Sequence, residues 1–307
     1  MKLIAIDMDG TLLGSDGRVS ERNRAALLGA EAAGIEVVIA TGRRHCYAMH
    51  VLEEVGLRQG SALVSSNGTV VRTLGAELLQ RTHMELDVAR ALCAHMQGFR
   101  KTLVLTFDCV GADGEDTRGA IVVEDLPALE AAIGRWVSVN EEYIAEVRPL
   151  EKALEGEPPI QMMLCGSLEQ MEEAQALMLE LPWVTAMDEG EVEGAKIVLH
   201  RTVYPARNLC LLDVLPAGCS KASALREVAD SRGIAMSEVM AIGDNWNDVP
   251  MLEAAGRAVV MANAPTELIA LAVERGWRVG LSNDEDGVAE AVEEVLREAN
   301  EAVPVIV

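Results

Sequence analysis

Short apolar runs alternate with amphipathic segments in the first part of the chain. "KLIAID" and "IEVVIATG" have the length and the β-branched content of buried strands. Between them, Asn23–Ala33 has the spacing of an amphipathic helix that ends at Gly34, and a second helix is predicted near Tyr47–Val55. "SALVSSNGTVV" follows as a strand that turns at Asn67. This alternation predicts a parallel sheet covered by helices.

The middle of the chain has a different pattern. An amphipathic helix over Met84–Met96 precedes two strands, "KTLVLTFDCV" and "GAIVVED", which are separated only by a Gly/Asp-rich turn. Four further strands are predicted at "IQMMLCG", "WVTAM", "AKIVLH" and "LCLLDV". Adjacent strands without crossover helices favour a separate α+β unit with an antiparallel sheet. The Pro/Gly segment "LPAGCS" is typical of a linker at its end.

The β/α alternation resumes after this linker. A helix is predicted over Lys221–Arg232, with Ser220 as its candidate N-cap, and "VMAIG" and "RAVVMA" are predicted strands. The simplest topology is one α/β domain, built from both ends of the chain and interrupted by an inserted domain. We therefore predict a core domain over residues 1–83 and 216–307 and an inserted domain over residues 84–215.

Composition narrows the possible partners and location. Of the 307 residues, 50% are hydrophobic and only 3% aromatic, which predicts an aliphatic core. The formal charge of −23 argues against nucleic acid or an anionic membrane as a main partner, although a local positive site could bind a small anion.

No apolar run approaches the roughly 20 residues of a membrane-spanning helix. Six scattered cysteines without CxxC spacing indicate a cytoplasmic protein with reduced thiols and no zinc site. The sequence does not indicate an oligomeric state.

Polar residues follow several predicted strands or open a predicted helix. "IAIDMDGTLL" places Asp7 and Asp9 at the end of an apolar strand, where two carboxylates are costly unless they are solvated or hold a cation. "TGRR", "SKASAL" and "GDNWND" are similar polar segments. The carboxyl ends of parallel strands line one crevice, which is where open α/β sheets bind ligands. We therefore expect these four segments to converge.

The predicted crevice would contain groups suited to phosphoryl transfer. Its carboxylates form a hard oxygen set suited to Mg²⁺, and its hydroxyl, lysine and glycines could cradle a phosphate. The carboxylates are Asp7, Asp9, Asp244 and Asp248, and the cradle residues are Thr41, Lys221, Gly10 and Gly42. No P-loop or GxGxxG motif is present, so a carboxylate is the expected nucleophile.

These segments resemble the haloacid dehalogenase superfamily of phosphatases. The resemblance rests on "DMDGTLL", "ATGR", the Lys221 segment, "GDNWNDVPML" and "NDEDGVAEAV", and it is closest to the Cof-type branch. It implies an α/β fold with a Rossmann-like parallel-sheet core and an α+β cap inserted between the second and third motifs. Ala222 stands where the family pattern usually has glycine, and "MANA" at residues 261–264 matches the usual glycine-containing turn only loosely.

The resemblance also implies roles for individual residues. Asp7 would be the nucleophile and a Mg²⁺ ligand. Asp9 would protonate the leaving group and then activate water, and its main-chain carbonyl would contact the metal. Asp244 would ligate the metal, and Asp248 would support it directly or through water. The transferred phosphoryl group would be held by Thr41, Gly42, Lys221 and Asn247.

Other polar residues are possible substrate contacts. In the core these are Gly10, Arg43, Asn67 and Asn263, although Arg43 could equally form a surface ion pair and Asn67 a hairpin turn. In the cap the candidates are Arg118, Arg148, His200 and Arg201.

We therefore expect a Mg²⁺-dependent phosphatase that hydrolyses small phosphorylated metabolites through an aspartyl-phosphate intermediate. A sugar phosphomutase and a phosphatase dedicated to one sugar phosphate remain alternatives, because the cap would decide between them. A catalytically silent metabolite-binding regulator is a third, which the intact set of Asp7, Asp9, Lys221 and Asp244 disfavours.

Overall fold

The chain divides into two compact units. The computed structural model describes residues 1–111, 114–187 and 192–301. The first unit contains the described residues of Met1–Glu77 and Lys221–Val307, and the second contains those of Leu78–Ser220. The divisions lie at 77/78 and 220/221, where the sequence suggested 83/84 and 215/216. The "LPAGCS" segment belongs to the second unit because Pro216 still pairs with Ile197 in its sheet.

The strands and helices fall into three successive segments of the chain. The first segment contains β1 (Leu3–Ile6), α1 (Glu21–Ala32), β2 (Glu36–Ala40), α2 (His45–Val55), β3 (Ala62–Ser65) and β4 (Val70–Thr73). The second unit contains β5 (Leu78–Arg81), α3 (Leu86–His95), β6 (Leu103–Thr106), β7 (Ile121–Val123), α4 (Leu126–Asn140), β8 (Ile144–Glu146), β9 (Gln161–Gly166), α5 (Leu168–Met178), β10 (Val184–Ala186), β11 (Ile197–Tyr204) and β12 (Leu209–Pro216). The last segment contains α6 (Lys221–Ser231), β13 (Val239–Gly243), α7 (Val249–Ala254), β14 (Arg257–Val260), α8 (Thr266–Glu274), β15 (Arg278–Val279) and α9 (Gly287–Glu301).

The first unit has the predicted parallel sheet. Its strands lie in the order β15-β14-β13-β1-β2-β3-β4, so β1 pairs with β2 on one side and with β13, more than 200 residues away, on the other. Among these seven described strands, β4 alone is antiparallel to the strand before it, because it follows β3 through the tight turn Ser66–Gly68. Both ends of the chain therefore build one sheet, as the sequence predicted.

Apolar side chains cover both faces of this sheet. Ile4 and Ile6 of β1 belong to a core with α1, α2 and α9, whereas Leu3 and Ala5 belong to a second core with α6, α7 and α8. Successive residues of a strand point to opposite faces, so an uninterrupted apolar run is what a doubly covered strand requires. This burial leaves the strand ends as the places where polar side chains can gather.

The second unit has a mixed sheet, with strand order β10-β11-β12-β9-β6-β7-β8. The central pairings from β11 to β7 are antiparallel, as expected. The two edge pairings, β10 with β11 and β7 with β8, are parallel, so the predicted antiparallel sheet is mixed at its edges. The cause at β8 is α4, which lies between β7 and β8 and forms the crossover that a parallel pair needs.

Within the described part of the chain, no helix has both the length and the apolarity needed to span a bilayer.

Candidate active site

The polar segments of the first unit lie at the carboxyl ends of its strands. Asp7 follows β1, Thr41 follows β2, and Asp244 follows β13. Because these three strands are neighbours and parallel, their ends lie along one edge of the sheet. Lys221 is the first residue of α6, whose apolar side packs on that sheet.

Lys221 links two of the carboxylates. Its side chain is fully buried, and Nζ donates to Oδ1 of Asp7 at 2.5 Å and to Oδ1 of Asp248 at 2.6 Å. A buried ammonium is expensive unless it is paired and hydrogen-bonded, and both conditions are met here. Three residues that are far apart in sequence are thereby joined by the fold.

Asp248 is held by hydrogen bonds on both carboxylate oxygens. Oδ1 accepts from Lys221, while Oδ2 accepts from the main-chain amides of Asp244 and Asn245 at 3.0 Å each. The side chain is completely buried. Asp248 therefore fixes the turn that presents Asp244 as well as the position of the lysine.

Thr11 is a site residue that sequence reasoning missed. Its buried hydroxyl donates to Oδ1 of Asp244 at 2.9 Å. The sequence feature that could have revealed Thr11 is its position four residues after Asp7 in "DMDGT". This places it on the loop that passes the end of β13. Gly10, just before it, has φ of +86°, and a Cβ at this position would collide with the Asp244 carboxylate. The glycine is therefore required both by backbone conformation and by close approach.

The buried carboxyl groups of Asp7 and Asp244 have raised pKa values. Burial, reinforced by the charge of Asp248, raises the pKa of Asp7 to about 7 even though Lys221 opposes the shift. Burial and the charges of Asp7 and Asp248 raise the pKa of Asp244 well above its usual range. For Lys221, burial favours the neutral amine, but the charges of Asp248 and Asp7 outweigh it and raise the pKa. With all three carboxylates ionised, the cluster would carry more negative charge than one lysine compensates.

The donor set fits a divalent cation. Carboxylate oxygens of Asp7, Asp244 and Asp248 lie within 4.8 Å of one another. Oxygen donors are those that Mg²⁺ prefers, and a bound cation would reverse the raised pKa values of the two aspartates. Asp7 and Asp244 are the better placed ligands, since both oxygens of Asp248 already accept hydrogen bonds from the protein.

Asp9 is paired with Arg43. The guanidinium donates from Nε to Oδ2 at 2.7 Å and from Nη2 to Oδ1 at 2.6 Å, and it stacks over the Tyr47 ring at 4.5 Å. Of the alternatives left open by the sequence, the structure therefore shows Arg43 in an ion pair.

Thr41, Gly42, Asn67 and Asn247 form a second connected group. The Thr41 carbonyl accepts from the Asn67 amide at 3.0 Å, and Nδ2 of Asn247 donates to Oδ1 of Asn67 at 3.1 Å. A Cβ on Gly42 would lie 3.3 Å from the Asn67 amide group. Asn67 forms the predicted turn after β3, with φ of +53°, and is buried against the loop that follows β2.

Asn263 is exposed, and its amide group is bound to the protein on both sides. Nδ2 donates to the Gly10 carbonyl at 2.7 Å, and Oδ1 accepts from the Asn283 amide at 2.9 Å. The sequence suggested a substrate contact at this position, whereas the structure shows Asn263 joining two loops.

The cap candidates lie in the second unit. Arg148 donates to Glu146 and to the Glu124 carbonyl, Arg201 lies 3.7 Å from Glu172, and His200 is buried on β11. Arg118 is exposed. Their roles toward a substrate remain predictions.

Comparisons with known proteins agree with this architecture. A family model for haloacid dehalogenase-like hydrolases matches residues 4–292. The 5-amino-6-(5-phospho-D-ribitylamino)uracil phosphatase YwtE of Bacillus subtilis is 29% identical, over 96% of this chain and 98% of that protein. The crystal structure of a haloacid dehalogenase-like hydrolase from Bacteroides thetaiotaomicron is 26% identical with a TM-score of 0.72, covering 96% of this chain and 99% of that one.

A second solved structure shares the fold. The structure of the subclass IIB sugar phosphatase BT4131 superposes with a TM-score of 0.73 at 23% identity, over 96% of this chain and 99% of that one. This likeness is one of fold alone. The chain therefore belongs to the haloacid dehalogenase-like hydrolase family and is a phosphatase of that superfamily.

Proposed function

We propose that the protein is a Mg²⁺-dependent phosphatase that hydrolyses small phosphorylated metabolites through an aspartyl-phosphate on Asp7. The observation that carries the proposal is the fully buried Lys221 between Asp7 and Asp248, next to Asp244. Phosphoryl transfer requires positive groups that stabilise the charge on the transferring group, and here a lysine and a candidate cation site lie beside one carboxylate. Bound Mg²⁺ would be held by Asp7 and Asp244, with the Asp9 carbonyl as a further ligand, and would neutralise charge on the transferring phosphoryl group.

In the first step, Asp7 attacks the phosphorus atom and the bond to the leaving oxygen breaks. Asp9, which is paired with Arg43 in its ionised form, must first take up a proton; it then donates that proton to the leaving oxygen, so that an alcohol leaves. The Lys221 ammonium has three hydrogens, which allows it to hold both carboxylates and donate the third to a phosphoryl oxygen. Thr41, the Gly42 main chain and Asn247 bind the remaining phosphoryl oxygens.

In the second step, water attacks the phosphorus atom and the bond to Asp7 breaks. Asp9 takes the proton from the water, which restores its starting state, and inorganic phosphate leaves. The sum is one phosphate ester and one water converted to one alcohol and one phosphate.

We further propose that the second unit acts as the cap that selects the leaving group. The named relative acts on a phosphorylated ribityl compound, which supports a small polyhydroxylated ester as the substrate class. A cytoplasmic location accords with the six cysteines, all in the described part of the chain, since none forms a disulfide.

The test is hydrolysis of a panel of sugar phosphates, phosphorylated polyols and p-nitrophenyl phosphate by wild type and Asp7→Asn, with Mg²⁺ or with a chelator. We expect phosphate release by wild type with Mg²⁺ only. Asp7→Asn is the matched variant because it keeps size and hydrogen bonding while removing the nucleophile.

Other outcomes would select the alternatives. Isomerised sugar phosphate without phosphate release would identify a mutase. Tight binding of an ester without turnover would favour the regulator, and turnover by Asp7→Asn equal to wild type would exclude Asp7 as the nucleophile.

A further inference from the structure

The loop that follows β1 is anchored by residues from two distant loops of the same unit. Nδ2 of Asn263, which follows β14, donates to the Gly10 carbonyl at 2.7 Å. Nδ2 of Asn283, which follows β15, donates to the Leu13 carbonyl at 2.8 Å. The two anchors are themselves joined, because the Asn283 amide donates to Oδ1 of Asn263 at 2.9 Å.

The same loop carries Asp9 and contacts Asp244. Gly10 is adjacent to Asp9, and the Thr11 hydroxyl binds Asp244. The loop turns back at once, since the Leu12 and Leu13 amides donate to the carbonyls of Asp7 and Met8 at 3.2 Å and 2.9 Å. Its position therefore determines where the Asp9 carboxylate lies relative to Asp7.

Asn263 connects two loops through its side-chain amide. Nδ2 donates one of its two N–H groups to the Gly10 carbonyl and Oδ1 accepts from the Asn283 amide, so the side chain holds both loops at once. Its partners are main-chain groups outside the long helices and strands, because Gly10 lies in a turn and Asn283 begins the short 3-10 helix Asn283–Glu285. Side-chain hydrogen bonds of this kind define loop geometry where secondary structure does not.

We propose that Asn263 and Asn283 are positioning residues that hold the Asp9 loop in register with Asp7. This inference rests on the proposed function for the role of Asp9 as general acid, and on the structure alone for the anchoring. Neither asparagine needs to touch the substrate. Loss of either should impair the step that needs Asp9 more than the steps that need only the phosphate site.

The first test compares two leaving groups in Asn263→Ala and Asn283→Ala. Departure of p-nitrophenolate needs little protonation, whereas departure of a sugar alkoxide requires it. Since kcat/KM reports the steps up to leaving-group departure, we expect about a tenfold loss for a sugar phosphate and less than about a threefold loss for p-nitrophenyl phosphate. Asn208→Ala is the matched control, because this exposed asparagine also binds a main-chain group, in the second unit.

The second test does not depend on activity. Hydrogen exchange of the Leu12 and Leu13 amides in the metal-free protein should be at least about fivefold faster in both variants than in wild type or Asn208→Ala. Unchanged exchange would overturn the anchoring, whether or not the protein hydrolyses any ester.

The remaining outcomes separate the explanations. Equal losses for both substrates would overturn the proposed action through Asp9, and a change in KM for sugar phosphates alone would make Asn263 a substrate contact. Absence of turnover by wild type on every ester would defeat the proposed function, while the exchange experiment would still decide the anchoring.

Discussion

Arg43 donates hydrogen bonds to both carboxylate oxygens of Asp9, at 2.7 Å and 2.6 Å, while its guanidinium stacks on Tyr47. A bidentate pair fixes the direction of a carboxylate as well as its distance. Asp9 is nearly half exposed, so this pair contributes little to stability, on the order of 1 kcal/mol or less. Its consequence is orientation of the proposed general acid.

Arg43→Ala should therefore reduce kcat/KM by about 10- to 100-fold with little change in melting temperature, because misplacement of a catalytic group is costly. Arg43→Lys should recover only part of the activity, since an ammonium cannot form the bidentate pair. Tyr47→Phe keeps the aromatic ring and serves as the control. Steady-state kinetics and thermal unfolding measure both effects, and full activity in Arg43→Ala would show that Asp9 is oriented without the pair.

Lys221→Met should destabilise the protein as well as inactivate it. The substitution keeps an unbranched chain but leaves the carboxylates of Asp7 and Asp248 buried without their shared cation. Removing one partner of a buried ion pair costs about 3–5 kcal/mol. Denaturant unfolding of the metal-free protein should show a loss of this order at pH 8, and a smaller one at pH 5, where Asp7 is protonated.

The control for this prediction is Lys152→Met, which changes an exposed lysine of the second unit. A loss in Lys221→Met no larger than in the control would mean that the buried lysine does not compensate the aspartates.

Asp7 makes the stability of the metal-free protein depend on pH. Its pKa is raised from 3.8 to about 7, chiefly by burial and by the charge of Asp248. Between these values the folded protein keeps a proton that the unfolded chain has lost, so the free energy of unfolding falls as pH rises from about 4 to 7. Asp7→Asn should remove this contribution and be more stable than wild type above pH 7, by about 1 kcal/mol or more.

The measurement is the difference in unfolding free energy between wild type and Asp7→Asn from pH 4.5 to 8. Taking the difference cancels the effect of the net charge of −23, which both proteins share apart from this one group. A difference that does not vary with pH would contradict the raised pKa.

Mg²⁺ binding should depend on the same protonation of Asp7, because bound protons compete with the cation. The cation requires ionised carboxylates, so binding near pH 6 should release protons and affinity should increase toward pH 8. Calorimetry in buffers of different ionisation enthalpy measures the proton release. Asp244→Asn should weaken binding strongly, whereas Asp230→Asn, which changes an exposed aspartate near the end of α6, should not.

Gly10→Ala should disrupt the site through the backbone. Gly10 has φ of +86°, and an added Cβ would collide with the Asp244 carboxylate. We expect destabilisation of about 1–3 kcal/mol and at least a tenfold loss of kcat/KM. Gly60→Ala is the control, because an added Cβ there meets nothing within 4 Å. Wild-type kinetics in Gly10→Ala would mean that the loop and Asp244 can move apart without consequence.

The sequence by itself determined the class of fold and the residues that could carry chemistry. Apolar runs such as "IAI" before Asp7 and "VMAI" before Gly243 can be buried only in strands covered on both faces, so their polar ends had to lie at one edge. The polar segments at these ends then made Asp7, Thr41, Lys221 and Asp244 candidates before any contact was known. These are consequences of local pattern and of the rules for parallel sheets.

Only the tertiary structure decided which of these residues touch. Lys221 joins Asp7 across 214 positions, Thr11 joins Asp244 across 233, and Asn263 joins Gly10 across 253. Such pairings depend on side-chain reach and on the exact course of loops, for which a single sequence carries no periodic signal. The parallel edges of the second sheet were missed for a related reason, because the pairing direction of β8 depends on a crossover that a short apolar run does not reveal.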